Sequence, residues 1–395
     1  MNCLDDIVIT GYGIIGPGVL DKYSFLNVLE KGLCTQSIIK NVNHSQSHLV
    51  AGLIEESFQE INGKNYKRHP RSVRMAIAAA MDAYEMAHVN DFKPHRVAVI
   101  MGTSAGAILE IEQNYLKFLE LKTTPLQGVS FADTHTLSGS VAEATGLCGP
   151  AFTITTGCTA SIDAVSFGKL LLESGTVDAC IVGGTDAPLG QWTINGFKKL
   201  RVLSTETTIE NAGIPFSTEH RGFVLSEGAG VIVLERRQTA NSRDQRIYGK
   251  IEHVISRNEG QKLLSSDTTG RHMLEVFQET LGNTVPSYVN SQALGIEIND
   301  QIERFILKET FGTKVPITSI KGMIGHSFGA MGAMQIISSL LSMEYGFIPP
   351  TIKSKGRGFE DIPIVFETRY QAVESVCITT HGSSGNNACL LLTHS

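Results

Sequence analysis

Short apolar runs alternate along this chain with longer stretches whose apolar residues recur at helical spacing. Ile7-Val8-Ile9-Thr10, Arg96-Val97-Ala98-Val99-Ile100-Met101, Ala179-Cys180-Ile181-Val182 and Gly230-Val231-Ile232-Val233-Leu234-Glu235 have the length and β-branched content of strands. Arg71 to Met86 is rich in alanine and methionine and predicts a helix. The alternation predicts layered α/β architecture. A polar stretch from Arg236 to Arg246 marks a seam, and the pattern then starts again. Ile251 to Ser256 reads as a strand, Met273 to Leu281 as a helix, Tyr288-Val289 as a strand, Gly332 to Tyr345 as a long helix and Val376 to Thr380 as a last strand. Thr153-Ile154-Thr155-Thr156-Gly157 and Cys377-Ile378-Thr379-Thr380-His381-Gly382 resemble each other, which hints at an internal duplication. The two halves are read as residues 1–240 and 247–395.

Composition narrows the class. The 395 residues, 42% hydrophobic with 39 glycines, suffice for one large or two fused α/β domains. A formal net charge of −6 gives no global basic field, so nucleic acid is not an expected partner. The 7 cysteines are odd in number, scattered and free of CxxC or CxxH spacing, which suits reduced thiols rather than a disulfide framework or a metal site. Met1 to Asp6 lacks the basic and apolar regions of a signal peptide, and no apolar run has the length of a membrane span. The expected compartment is the cytoplasm.

Three motifs compete for the chemistry. Gly11-Tyr12-Gly13-Ile14-Ile15-Gly16 fits the dinucleotide fingerprint, but Pro17-Gly18 follows where a helix must open, so a glycine-rich turn is the expected reading. Gly102-Thr103-Ser104-Ala105-Gly106 fits the nucleophile elbow of a serine hydrolase, with His326 downstream as a base. The third candidate joins Gly157-Cys158-Thr159-Ala160-Ser161 to Lys321-Gly322-Met323-Ile324-Gly325-His326. Cys158 falls at a turn from an apolar strand into a helix, where the helix dipole favours thiolate. The plain alternatives are a buried structural cysteine and a satisfied loop histidine.

Taken together, Thr156 to Ser161, Gly183-Gly184-Thr185-Asp186, Gly196-Phe197 to Leu203-Ser204, Gly222-Phe223-Val224-Leu225-Ser226-Glu227-Gly228-Ala229-Gly230, Lys321 to Gly332 and Ile348-Pro349-Pro350-Thr351 resemble the β-ketoacyl synthase (condensing enzyme) family. The resemblance runs along nearly the whole chain. It implies the thiolase fold, a duplicated α-β-α-β-α arrangement in five layers. It implies Cys158 as acyl-accepting nucleophile, His326 and Lys321 as its companions, and an oxyanion hole from the backbone N–H groups of Cys158 and Ser383. No resident cofactor is implied, because acyl groups arrive on the phosphopantetheine of an acyl carrier protein.

The departures from the family pattern carry their own expectations. Where the family has a second histidine in a VNAHGTGTPLND-like segment, this chain has Gln292, while Asn299, Asp300 and Glu303 remain. A carboxamide keeps an N–H donor but cannot be protonated, and losing one oxyanion donor typically costs about 10²–10³ in rate. In the C-terminal glycine loop His381, Gly382, Ser383 and Ser384 form the expected gate. Ser383 stands for one aromatic and widens the passage for a bulky or unsaturated chain. His381 stands for the other, either as a substitute base or as a packed ring. Lys64, Lys67, Arg68 and Arg71, with Arg74, form a local basic cluster that suits an acidic carrier protein, or else a solvated helix face.

Two functions remain in view. One is a chain-length-factor-like partner of a complete ketosynthase in type II polyketide or fatty-acid synthesis, with polyene-like products. The other is a self-sufficient ketosynthase or acyltransferase that loads at Cys158, in a homodimer as the family default. A serine hydrolase using Ser104 is the minor alternative.

Overall fold

Two copies of one five-stranded plan make up the molecule. The structure, a computed structural model, describes residues 5–42, 47–219, 221–261, 267–382 and 385–394. The first half contributes β1 (Ile7–Ile15), β2 (Val97–Gly102), β3 (Ala151–Ile154), β4 (Ala179–Asp186) and β5 (Gly228–Arg236), in spatial order β3-β2-β4-β5-β1. The second contributes β6 (Gly249–Asn258), β7 (Tyr288–Asn290), β8 (Ile317–Thr318), β9 (Ser375–His381) and β10 (Asn386–Thr393), in the order β8-β7-β9-β10-β6. In each half the second strand lies parallel to the third and fourth, and the fifth lies antiparallel to the fourth and first. The two half-sheets meet at a narrow seam, where Val8 pairs with Lys250 and Ile9 with Gly249.

The helices that position the site are α1 (Arg71–Met86), α2 (Ile108–Leu121), α3 (Ala160–Glu173), α4 (Gln191–Lys199), α5 (Arg271–Leu281), α6 (Glu297–Phe311) and α7 (Met331–Tyr345). On the outside of the first half, α1 packs its Ala76, Ala79, Ala80 and Ala83 against Val97, Val99 and Val231. Helices α3 and α7 fill the space between the half-sheets, sharing one core with Ile100, Val182 and Ile232 on one side and Ile378, Leu390 and Leu392 on the other. Every residue of α7 from Met331 to Met343 is buried, as its all-round small and apolar surface requires. On the far side α5 and α6 cover Val289, Ile317 and Leu391. The result is five layers, α-β-α-β-α.

Two local readings change. The Gly11–Gly16 motif is neither a phosphate loop nor a turn; it lies almost wholly in β1. A Cβ at Gly13 would sit 2.0 Å from the Ala79 carbonyl, so glycine lets α1 lie directly on the strand. The duplication is present in the topology, but the two segments that hinted at it are not equivalents. Thr153–Gly157 leaves the third strand of its half, whereas Cys377–Gly382 ends the fourth strand of the other.

Candidate active site

β3 ends at Ile154, and the chain turns through Gly157–Thr159 into α3. Gly157 takes φ +73°, a region that favours glycine. The Thr156 and Thr159 hydroxyls both donate to Asp163, and Asn386 Nδ2 donates to the Thr156 carbonyl at 3.2 Å, so the second half grips the turn of the first. In the second half, β8 is followed by a short helix, Lys321–Ile324, then His326, then α7. Cys158 and His326 therefore stand at matching steps of the two repeats, each shortly before a central helix. His326 is fixed by its own backbone, its N–H donating to Val224 and its carbonyl accepting from Ser226. Its ring lies edge-on to Phe223 and Phe328. Phe328 itself takes φ +48°, uncommon for a side-chain-bearing residue. Cys158 Sγ is 3.2 Å from His326 Nε2.

Burial decides the protonation of this pair. The Cys158 thiol is pushed up to about 12, first by desolvation and then by the Asp186 carboxylate, with Lys321 opposing. The expectation of a dipole-favoured resting thiolate does not hold: a helix N-terminus contributes up to about 2 kcal/mol, and desolvation of the half-buried thiol outweighs it. Burial, assisted by the charges of Lys321 and His381, holds His326 well below the ordinary imidazole value. The resting pair is thus neutral thiol beside neutral imidazole, with the ring placed to take the sulfur's proton during attack. Lys321 is lowered to about 7 by burial, against the pull of Glu303, Cys158 and Asp300, and its Nζ donates to the Ser291 carbonyl at 2.8 Å. Asp186 accepts from the backbone N–H groups of Ser104, Ala105 and Gly329 and from the Thr103 hydroxyl, tying both walls of the site to the end of β4.

Gln292 shares the cavity, but its amide is committed elsewhere. Nε2 donates to the His381 carbonyl at 3.2 Å, the backbone N–H donates to Thr379 Oγ1, and Oε1 is buried without a partner among the described residues. The His381 ring is held from both sides, with Nε2 3.1 Å from Glu303 Oε1 and Nδ1 3.1 Å from Asn299 Nδ2. That arrangement leaves no idle ring nitrogen to act as a free substitute base. Burial raises the Glu303 carboxyl, yet His381, Ser291 and Thr379 outweigh it and keep the group below its usual value. Gly382 abuts the nucleophile: a Cβ there would lie 3.6 Å from Cys158 Cβ. Ser383 and Ser384 lie outside the described residues. Ser104 lines the cavity, but His326 is aligned on Cys158, and no hydrogen bond from the Ser104 hydroxyl to a base is present among the described residues.

The cavity above the pair measures about 350 Å³ and is walled largely by Phe197, Leu200, Val202, Leu294, Ile296 and Ile298. Lys198, Lys199 and Arg201 interleave with those wall residues and form no ion pair among the described residues. The sequence reading missed this rim; its signal was the basic run interrupted only by Leu200. Of the expected docking cluster, Lys64, Lys67 and Arg68 are exposed. Arg71 is not a docking residue. Its guanidinium clamps the buried Glu227 carboxylate in two contacts of 2.6 and 2.8 Å. Arg74 likewise reaches the Ser57 carbonyl.

The N-terminal domain of β-ketoacyl synthases matches residues 4–240 and the C-terminal domain matches residues 248–355. A relative is the tetracenomycin polyketide synthase ketoacyl synthase alpha subunit of Streptomyces glaucescens, 28% identical over 87% of this chain and 86% of its own. The fold matches a type II polyketide synthase acyl-carrier protein complex with its ketosynthase bound to the hexaketide (TM-score 0.88, 22% identity, 99% and 100% of the two chains). It also matches the ketosynthase ApeO in complex with its chain length factor ApeC from Xenorhabdus doucetiae (TM-score 0.86, 21% identity, 100% and 99%). With a family match across both halves and a thiol and imidazole meeting between them, the chain belongs to the β-ketoacyl synthase family.

Proposed function

We propose that this protein is a ketosynthase-like subunit of polyketide or fatty-acid assembly, active in the cytoplasm, that accepts an acyl group from a carrier protein's phosphopantetheine onto Cys158. The observation that carries this reading is the 3.2 Å approach of Cys158 Sγ to a neutral His326 below an apolar cavity. As sulfur attacks the carrier thioester, His326 Nε2 takes its proton. The backbone N–H of Cys158 faces the developing oxyanion. Collapse breaks the carbon–sulfur bond to pantetheine, and the departing thiolate regains the proton from His326.

The surface favours a paired subunit. Helix α2 has no buried residue, although Ile111, Tyr115, Leu116, Leu119 and Leu121 lie along it. Leu126 and Val129 continue that surface at 92% and 85% exposure. β3 is one open edge of the sheet, with Phe152 exposed. Exposed apolar surface and an open edge strand are each features of an interaction face. A complete ketosynthase is the partner we propose, with this chain in the chain-length-factor-like place. The retained thiol and imidazole favour a second reading, a self-sufficient synthase or acyltransferase.

The purified chain, offered acyl- and malonyl-carrier protein, tests these readings by mass spectrometry. Acylation at Cys158 is expected. Chain growth without a second subunit removes the partner reading; a Cys158→Ala variant that fully supports a reconstituted pair removes the loading reading.

A further inference from the structure

Helix α4 supplies part of the wall above the reacting pair, and its first turn is held by a carboxylate from another element. Gly190 stands at the start of α4 and has no side chain with which to cap it. The orphan backbone N–H groups of Gln191 and Trp192 donate instead to Glu112 on α2, to Oε1 at 2.8 Å and to Oε2 at 3.0 Å. A negative group there also meets the positive end of the helix dipole. Glycine at 190 is dictated by this contact and not by backbone conformation. Its φ is −80°, open to any residue, yet a Cβ would lie 2.5 Å from Glu112 Oε2. Two residues earlier on α2, Glu110 Oε1 accepts from the Arg71 N–H at 2.7 Å, at the start of α1. With no buried side chain of its own, α2 thus fastens two neighbouring helices through two carboxylates.

The far end of α4 faces the cavity. Phe197 lines it, with its ring centroid 5.1 Å from that of Phe328 and 5.6 Å from that of Phe223. Those two rings flank the His326 imidazole at 5.3 and 5.7 Å. Leu200, just past the helix, continues the same wall. The 9 residues of α4 are joined by intrahelical hydrogen bonds, so a shift of the first turn is carried to the last. We propose that Glu112 is a positioning residue for acyl loading: by holding the first turn of α4 it sets where Phe197 and Leu200 stand, and so how well an acyl chain fits above Cys158. The proposal rests on the reading of Cys158 as the acyl-accepting residue. The helix that presents the exposed apolar face is thus also the one that holds the cavity wall.

Hexanoyl-N-acetylcysteamine is a suitable probe, because it needs no identified carrier, and mass spectrometry reads hexanoyl-Cys158. In Glu112→Ala the thioester concentration for half-maximal acylation is expected to rise about 5-fold, the size that loss of one helix cap supports, with the limiting rate unchanged. Alkylation of Cys158 by iodoacetamide, a reagent too small to need the wall, should keep its wild-type rate. Glu112→Gln retains an acceptor for one of the two N–H groups and is expected to fall between. An unchanged half-saturation in Glu112→Ala overturns the proposal. So does an equal fall in acylation and alkylation, which marks general damage to the fold. Hydrogen exchange over residues 191–200 decides the assignment without any loading. Faster exchange in Glu112→Ala that reaches Phe197 supports it, whereas exchange that is unchanged, or faster only at Gln191 and Trp192, overturns it. A wild type that never acylates Cys158 overturns the loading reading instead and leaves the exchange result to decide Glu112.

Discussion

Gln292 donates its side-chain amide to the backbone carbonyl of His381, 3.2 Å away. The carboxamide that replaces a family histidine therefore points at the protein's own backbone. One of its two N–H donors is thereby taken by the protein itself. The same contact steadies the segment leading to Gly382, which abuts Cys158.

Resting protonation at Cys158 sets a pH dependence. With the thiol at about 12, the thiolate fraction grows tenfold with each pH unit up to that value. Alkylation of Cys158 by iodoacetamide is expected to rise about 10³-fold between roughly pH 7 and 10 without levelling off. Mass spectrometry of the modified peptide follows it, and a plateau near neutral pH contradicts the assignment. Burial raises the Asp186 carboxyl to about 6, so Asp186→Asn, which removes the negative charge that disfavours thiolate, is expected to speed the reaction at any fixed pH above that value.

Arg71 should matter for stability and not for carrier binding. Removing its guanidinium strands the Glu227 carboxylate, whose side chain is 1% exposed. Arg71→Ala is expected to cost about 3–5 kcal/mol in urea unfolding. Lys67→Ala and Arg68→Ala, both at exposed positions, should stay within about 0.5 kcal/mol of wild type. A mild effect at Arg71 would contradict the clamp.

The basic rim predicts how an acidic carrier approaches. Replacing Lys198, Lys199 and Arg201 together by glutamate is expected to lower carrier-delivered loading, relative to loading from a small thioester, by about 10-fold or more at low salt. The gap should narrow as salt screens it. If Lys64→Glu has the larger effect, the carrier docks on the first cluster instead.

The apolar face predicts association. Tyr115 and Leu119 are 60% and 48% exposed on α2. Tyr115→Asp with Leu119→Asp is expected to convert a paired species to monomers in sedimentation velocity, with the core fold intact by circular dichroism. Unchanged pairing would place the interface elsewhere.

Much of the fold and the reacting pair was legible because their signals are local. An apolar run, a glycine turn and a helix identify Cys158, and glycines around His326 mark an approachable ring. What escaped depends on contacts distant in sequence. Arg71 reads as a surface cation until Glu227, 156 residues away, is placed against it. At Cys158 the helix end is visible in the local sequence, whereas the enclosure of the thiol by both halves is not. The Gly11–Gly16 motif looks like a turn because its reason, the carbonyl of Ala79, is carried by another element. Gln292 and His381 were each read singly, and only the folded chain shows that they meet.

Because sulfur and ring sit at equivalent stations of two repeats that pack through one shared core, their separation reports how one half is seated on the other. A binding partner that grips both halves can tune the reactivity of Cys158 without approaching it. One that grips a single half has no such leverage.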